Sequence, residues 1–261
     1  MDNHVTTNDT ADGLVTAIKE VGVIGAGQMG SGIAHVVALA GYDVTLNDLE
    51  RQRFDDAIDV IRKNMTRQVS RGVIESDQAE KAIERISFGE NFEAFAQSDL
   101  VIEAATEDES VKRLIFKELC PMLKTGALVG SNTSSISITR LAASTDRPEQ
   151  FIGIHFMNPV PLMQLVELIR GIATDDSTFS VSRDFVETLG KTITVSEDFP
   201  AFIVNRILLP MINEAVYTLY EGVGTVDGID KALRLGANHP MGPLELADFI
   251  GLDTCLSVMQ V

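Results

Sequence analysis

Three glycines constrain how this chain begins to fold. Gly25, Gly27 and Gly30 form G-A-G-Q-M-G, directly after the apolar run Val21–Ile24 and at the start of a helical period over Gln28–Ala40 that Gly41 closes. In a strand–turn–helix unit the first glycine serves the tight turn. The second lets a ligand approach the backbone, and the third lets the helix lie close on the strand. The helix N-terminus then presents unpaired N–H groups and the positive end of its dipole, which suits a pyrophosphate.

The pattern continues as strands alternating with helices. Asp43–Asn47 reads as a second strand, 51–70 and 77–85 as helices, and Ile86–Phe88 as a short strand. Leu100–Glu103 follows, then a helix near 108–122 and a strand at Leu128–Ser131. Runs at 151–155 and 163–168 complete the series. This alternation predicts an α/β fold with a Rossmann-type, mostly parallel sheet. After Glu197–Pro200 only helical periods remain, at 202–221 (with a kink at Pro210), 225–235 and 243–259. The expected organisation is a lead-in over 1–18, a dinucleotide domain over 19–198 and an all-α C-terminal domain over 199–261.

Asp48 ends the second strand. An acid there hydrogen-bonds a ribose 2′-hydroxyl and repels a 2′-phosphate, which favours NAD over NADP; the nearest arginine in sequence is Arg51. Gly25, Gly27, Gln28, Met29, Gly30 and Asp48 are therefore the expected cofactor-binding residues. The alternative is a plain glycine-rich turn with a capping aspartate.

Composition excludes several partners. The chain has 261 residues and a formal charge of −17, from 21 basic and 38 acidic side chains, so nucleic acid and anionic membrane are not expected partners. Its two cysteines, Cys120 and Cys255, lie far apart, and its four histidines lack metal-ligand spacing. We expect reduced thiols, a cytoplasmic setting and no metal. Residues 1–18 lack the apolar core of a signal peptide and are expected to be a disordered lead-in.

The chemistry concentrates in H-F-M-N-P-V-P-L-M-Q-L-V-E, from His155 to Glu167. The two end residues are equidistant from Pro161. If the prolines mark a bend, the apolar runs face each other and the imidazole comes opposite the carboxylate. Such a pair suits a general base that takes its proton from an alcohol, whereas a core histidine satisfied by backbone is the plain alternative. Ser131-Asn132-Thr133-Ser134-Ser135 follows a strand, where hydroxyls can meet cofactor or substrate, cap the next helix, or do both. Asn205 in F-I-V-N-R is an amide within an apolar run. It needs a partner, either substrate or histidine on one reading or a neighbouring helix on the other.

Together, V-G-V-I-G-A-G-Q-M-G, D-L-V-I-E-A-A-T-E, S-N-T-S-S, the His155–Glu167 block, F-I-V-N-R and H-P-M-G-P-L-E-L-A-D-F-I-G-L-D resemble the 3-hydroxyacyl-CoA dehydrogenase family, its short-chain 3-hydroxybutyryl-CoA type most of all. The resemblance runs from about residue 20 to the end. It implies NAD as cofactor, a homodimer built on the C-terminal helices, and interconversion of (S)-3-hydroxyacyl-CoA and 3-ketoacyl-CoA. It casts His155 as the base, Glu167 as its partner, and Ser134 and Asn205 as holders of the reacting oxygen. It also adds Glu107, Lys112 and Asn132 as cofactor contacts and Asn158 as a substrate-side residue.

The acyl-CoA must find positive charge on an acidic protein. Arg51, Arg53, Arg62, Lys63, Arg67 and Arg71 form a basic island, and Arg67 best matches the family's CoA contact, although a solvated helix face has the same look. Two departures stand out. Ala201 replaces the glycine of the family's P-G-F, which raises the question of a positive φ there. The chain also stops at Val261, short of a further helical segment, so the helical domain is expected to be incomplete and its dimer weakened. An L-gulonate-type hydroxy-acid dehydrogenase and a non-catalytic NAD-binding or structural protein are the competing readings. A β-hydroxyacid dehydrogenase with a catalytic lysine is disfavoured, since the 160–205 region offers only Lys191 and the His–Glu pair is complete.

Overall fold

A computed structural model of the chain describes residues 17–260. The expected lead-in therefore lies outside the described residues, apart from its last two positions.

The elements run β1 (Glu20–Ile24), α1 (Gln28–Leu39), β2 (Asp43–Asn47), α2 (Arg51–Ser70), α3 (Ser76–Glu84), β3 (Ile86–Gly89), β4 (Leu100–Glu103), α4 (Glu109–Leu119), β5 (Leu128–Ser131), α5 (Ile138–Ala142), β6 (Phe151–Phe156), β7 (Leu165–Arg170), α6 (Asp176–Thr188), β8 (Thr192–Glu197), α7 (Val204–Tyr220), α8 (Val226–Lys231), α9 (Pro243–Ile250) and α10 (Leu252–Met259). One sheet of eight strands has the order β3-β2-β1-β4-β5-β6-β7-β8. Every neighbouring pair is parallel except β6 and β7. β4 and β5 are buried along their whole length, as is β1 after its first residue, which accounts for their unbroken apolar runs. The chain order reverses between β1 and β4. That switch point opens the crevice in which an open α/β sheet binds its ligands.

Two compact units are present. One runs to Thr133 and resumes over Ser137–Asp198; the other holds Ser134–Ile136 and the chain from Phe199 onward.

The structure adds one helix and one strand to the expected series, because α6 leads into β8, which extends the sheet beyond β7. β8 is an edge strand with a half-exposed pattern of Thr, Ile, Val and Ser, and Val195 is 51% exposed. It lacks the continuous apolar run that marks a buried strand. The helical period over 243–259 is two helices, broken at Gly251 with φ +97. The period over 225–235 ends as α8 at Lys231 and continues as one wider turn to Gly236. α7 continues as one helix through Pro210.

α7 starts at Val204 because Ala201 and Phe202 are both left-handed, with φ of +65 and +51. A side chain in that region costs about 1–2 kcal/mol. Glycine would remove the strain at 201 but add freedom to the unfolded chain. Ala201→Gly is expected to stabilise by about 0.5–1 kcal/mol, read as a higher urea midpoint, and Ala201→Val to lower it.

His35 on α1 is buried. Its Nε2 lies 3.1 Å from Gln68 Oε1, and its Nδ1 finds no partner among the described residues. Burial pushes its pKa down, the Gln68 contact opposes this, and the Lys191 charge adds to the fall. The unfolded imidazole then takes up protons at a higher pH than the folded one. The resulting stability is complete above about pH 6.5 and is lost as pH falls toward the lower folded value. Acid titration of Tm should show this slope, and His35→Leu should flatten it.

Candidate active site

The glycine loop joins β1 to α1 at the switch point. Gly25 has φ +98, and a Cβ there would come 2.6 Å from the Ala104 carbonyl oxygen. A Cβ on Gly30 would overlap the Gly25 carbonyl oxygen, whereas one on Gly27 would meet nothing within 4 Å. Gly30 is therefore required by packing, and Gly27 faces open space. Gly27 and Gln28 are exposed and Met29 half-buried, so the first turn of α1 is open to a phosphate. Asp48 accepts from Ala26 N (2.7 Å) and Leu49 N (2.8 Å), fixing the loop against the end of β2. Its other neighbour is the Arg53 guanidinium at 3.7 Å, while Arg51 pairs with Asp55 and lies over the Phe54 and Phe88 rings. An open glycine loop backed by the Asp48 carboxylate fits a dinucleotide.

A second cluster lies at the ends of β4 and β5. Lys112, nearly fully buried on α4, donates to both oxygens of Glu103 at 2.8 and 2.7 Å and lies 3.7 Å from Glu107. Glu107 accepts from the Thr133 hydroxyl at 2.7 Å. Lys112 is thus enclosed by carboxylates, and Glu107 is the more exposed member. The sequence alone assigns Glu103 no role. Its one signal was a carboxylate closing an otherwise apolar strand.

The expected proton-transfer pair sits on β6 and β7. Their antiparallel register sets His155 directly opposite Glu167, which is the bend geometry expected from the prolines. His155 Nδ1 lies 2.8 Å from Glu167 Oε2, and both residues are buried. A carboxylate only accepts, so Nδ1 carries a proton, and the neutral form of the imidazole would have its lone pair on Nε2. β6 runs parallel to β5, so its carboxyl end lies on the ligand-binding edge. Asn132 Oδ1 accepts from Phe156 N at 2.9 Å and ties the serine segment to that strand. Lys191 donates to the carbonyls of Val160 (2.6 Å) and Met163 (2.8 Å), so its ammonium braces the β6–β7 turn. A cleft of about 370 Å³ opens between α1, α2 and this turn, lined by Gly27, Ser31, Gly32, Asn64, Asn158 and Pro159 among others.

Asp198 was also missed. It accepts from the Ser137 hydroxyl and from Ile138 and Thr139 N–H, each at 2.8 Å, and so caps α5 just after the serine cluster. In the helical unit, Asn205 Nδ2 points to the Ser134 carbonyl at 3.5 Å, a long and weak bond. On α2, Arg67 is exposed and, with Arg62, Lys63 and Arg71, makes no ion pair among the described residues. Burial raises the Cys120 thiol to about 12, which removes it as a nucleophile. Among the described residues no group of three His, Cys, Asp or Glu side chains could hold a metal, and no helix is long and apolar enough to cross a membrane.

A doubly wound dinucleotide fold with a buried imidazole–carboxylate pair on its ligand edge defines an NAD-dependent dehydrogenase. The chain matches the family model of the 3-hydroxyacyl-CoA dehydrogenase NAD binding domain over residues 20–199 and that of the 3-hydroxyacyl-CoA dehydrogenase C-terminal domain over 202–261. It belongs to the 3-hydroxyacyl-CoA dehydrogenase family. It is 68% identical over 248 residues to a 3-hydroxybutyryl-CoA dehydrogenase of Bradyrhizobium diazoefficiens, covering 95% of this chain and 85% of that one. A probable 3-hydroxybutyryl-CoA dehydrogenase of Deinococcus radiodurans is 50% identical, with coverage of 92% and 86%. The solved (S)-3-hydroxybutyryl-CoA dehydrogenase of Ralstonia eutropha superposes with a TM-score of 0.90 at 43% identity, covering 94% of this chain and 86% of that one.

Proposed function

We propose that this protein interconverts (S)-3-hydroxyacyl-CoA and 3-ketoacyl-CoA with NAD, acting on short acyl chains such as 3-hydroxybutyryl-CoA. The observation that carries the reading is the His155–Glu167 pair on the carboxyl edge of the sheet. His155 Nε2 takes the hydroxyl proton in oxidation and returns it in reduction. Glu167 holds the tautomer and stabilises the imidazolium that forms. Ser134 and Asn205 hold the reacting oxygen, a role that rests on the family resemblance. NAD, when bound, supplies the hydride acceptor. The glycine loop and Asp48 bind its pyrophosphate and ribose, with Asn132, Glu107 and Lys112 shaping the other half of that site.

The cleft beside Asn158 and Asn64 accepts the thioester arm. On a chain of charge −17, the unpaired cations Arg62, Lys63, Arg67 and Arg71 are the local attraction for CoA phosphates. The exposed apolar side chains Ile207, Tyr217, Tyr220, Phe249, Leu252 and Leu256 of the helical unit support a homodimer, testable by ultracentrifugation. The two free cysteines suit a cytoplasmic setting.

Substrate competition tests the reading. NADH turnover on acetoacetyl-CoA should exceed that on free acetoacetate by about 10²-fold or more in kcat/KM, equivalent to about 2.7 kcal/mol of transition-state binding. Arg67→Glu should raise KM for the thioester about tenfold at low salt, with the difference shrinking in high salt. Faster NAD reduction with L-gulonate than with 3-hydroxybutyryl-CoA would overturn the assignment.

A further inference from the structure

Glu103 is a fully buried carboxylate for which the proposed chemistry has no use. It ends β4, between β1, which leads into the glycine loop, and β5, which leads into the serine cluster. Its Oε1 accepts from Ala105 N at 2.8 Å, and its Oε2 accepts from the Ser131 hydroxyl at 2.8 Å. Ser131 Oγ in turn accepts from Thr133 N at 3.3 Å. Lys112 donates to both carboxylate oxygens. The Ala104–Ala105 backbone is also what a Cβ on Gly25 would strike, so the glycine loop rests on the segment that Glu103 holds. One carboxylate thus fixes the loop after β4, the start of the loop after β5, and the surface under the loop after β1.

Asp48 marks the adenosine side of the crevice, at the end of β2. A dinucleotide crossing the glycine loop must carry its other half toward β4 and β5. A buried ion pair adds little net stability, because desolvation offsets the attraction, and apolar residues of similar volume often serve a fold as well. Its presence at this crossing therefore calls for a reason other than stability.

We infer that Glu103 is a positioning residue for the nicotinamide half of the cofactor site, acting through Ala105, Ser131 and Lys112. The inference rests on the dinucleotide reading of the glycine loop. It leaves the choice of acyl substrate untouched.

The test compares two probes by equilibrium binding, NADH for the whole site and ADP for its adenosine half, on wild type, Glu103→Gln and the double variant Glu103→Leu/Lys112→Met. We expect both variants to bind NADH about tenfold more weakly and ADP within about twofold of wild type. The double variant buries no unpaired charge and should fold, with Tm lowered only by the lost acceptor of the Ala105 N–H and the Ser131 hydroxyl. It also supplies the answer if Glu103→Gln fails to fold. A folded double variant with wild-type NADH affinity would overturn the inference and leave the pair purely structural. Equal weakening of ADP and NADH would overturn it too. If wild type binds neither probe, the dinucleotide reading falls and takes the inference with it, whereas binding without thioester turnover would count only against the proposed substrate.

Discussion

Replacing His155 with glutamine is expected to lower kcat for acetoacetyl-CoA reduction by about 10³-fold while the NADH dissociation constant stays within about twofold. General acid–base catalysis contributes about 10²–10⁴-fold, and His155 is the group proposed to move the proton. Glutamine roughly keeps the side-chain reach and can still bond Glu167, so β6 and β7 keep their register. It has no basic lone pair to exchange a proton near neutral pH. Glu167→Gln should cost about 10²-fold. The imidazole loses the charge that stabilises its protonated form, and Nδ1 can face an amide that donates as well as accepts. Steady-state turnover beside NADH fluorescence titration separates the two effects. A His155→Gln protein with full turnover would remove the proposed base.

Two alanine substitutions in the glycine loop should fail in opposite ways. Gly27→Ala keeps Tm within a few degrees but weakens NADH by about 10²-fold or more. Gly30→Ala loses about 3 kcal/mol of stability as well as cofactor binding. At Gly27 the backbone is extended, with φ −70, and a Cβ has nothing within 4 Å, so the free protein tolerates it. The added methyl instead occupies the space through which a pyrophosphate reaches the helix N-terminus. At Gly30 the Cβ would overlap the Gly25 carbonyl oxygen, and Gly25 is itself held against Ala104 and Ala105. Backbone on both sides cannot yield as a side chain can, which puts the penalty at the upper end of the about 1–3 kcal/mol typical of overpacking. Urea denaturation with NADH titration distinguishes them. Equal loss of stability in both variants would contradict the assignment of Gly27 to ligand approach.

The parts of the site that could be read from sequence were those specified locally. The glycine spacing sits within one strand–turn–helix unit. The His155–Glu167 register follows from a short turn, because two prolines and equal arm lengths leave little choice of pairing. Glu103 gave no comparable signal. Its partners lie 9 residues away at Lys112 and 28 away at Ser131, and only the sheet order brings them to one point. Asp198 caps a helix 60 residues earlier in the chain, so no local capping pattern could announce it. α6 and β8 were hidden for a different reason. An edge strand is only half buried and carries Thr and Ser where a central strand carries Val and Ile. At position 201 the sequence posed the question and the backbone answered it, since alanine stands there with φ +65.

The proposed activity needs the His155–Glu167 pair and the dinucleotide crevice to act together on a CoA thioester. The most direct measurement is NADH disappearance at 340 nm when the purified chain meets acetoacetyl-CoA. The account predicts steady turnover at about 1–10³ s⁻¹, the usual range for enzymes acting on their own substrates, with loss of the signal in His155→Gln. NADH bound tightly but not oxidised with any acyl-CoA would contradict it and leave a cofactor-binding protein in its place.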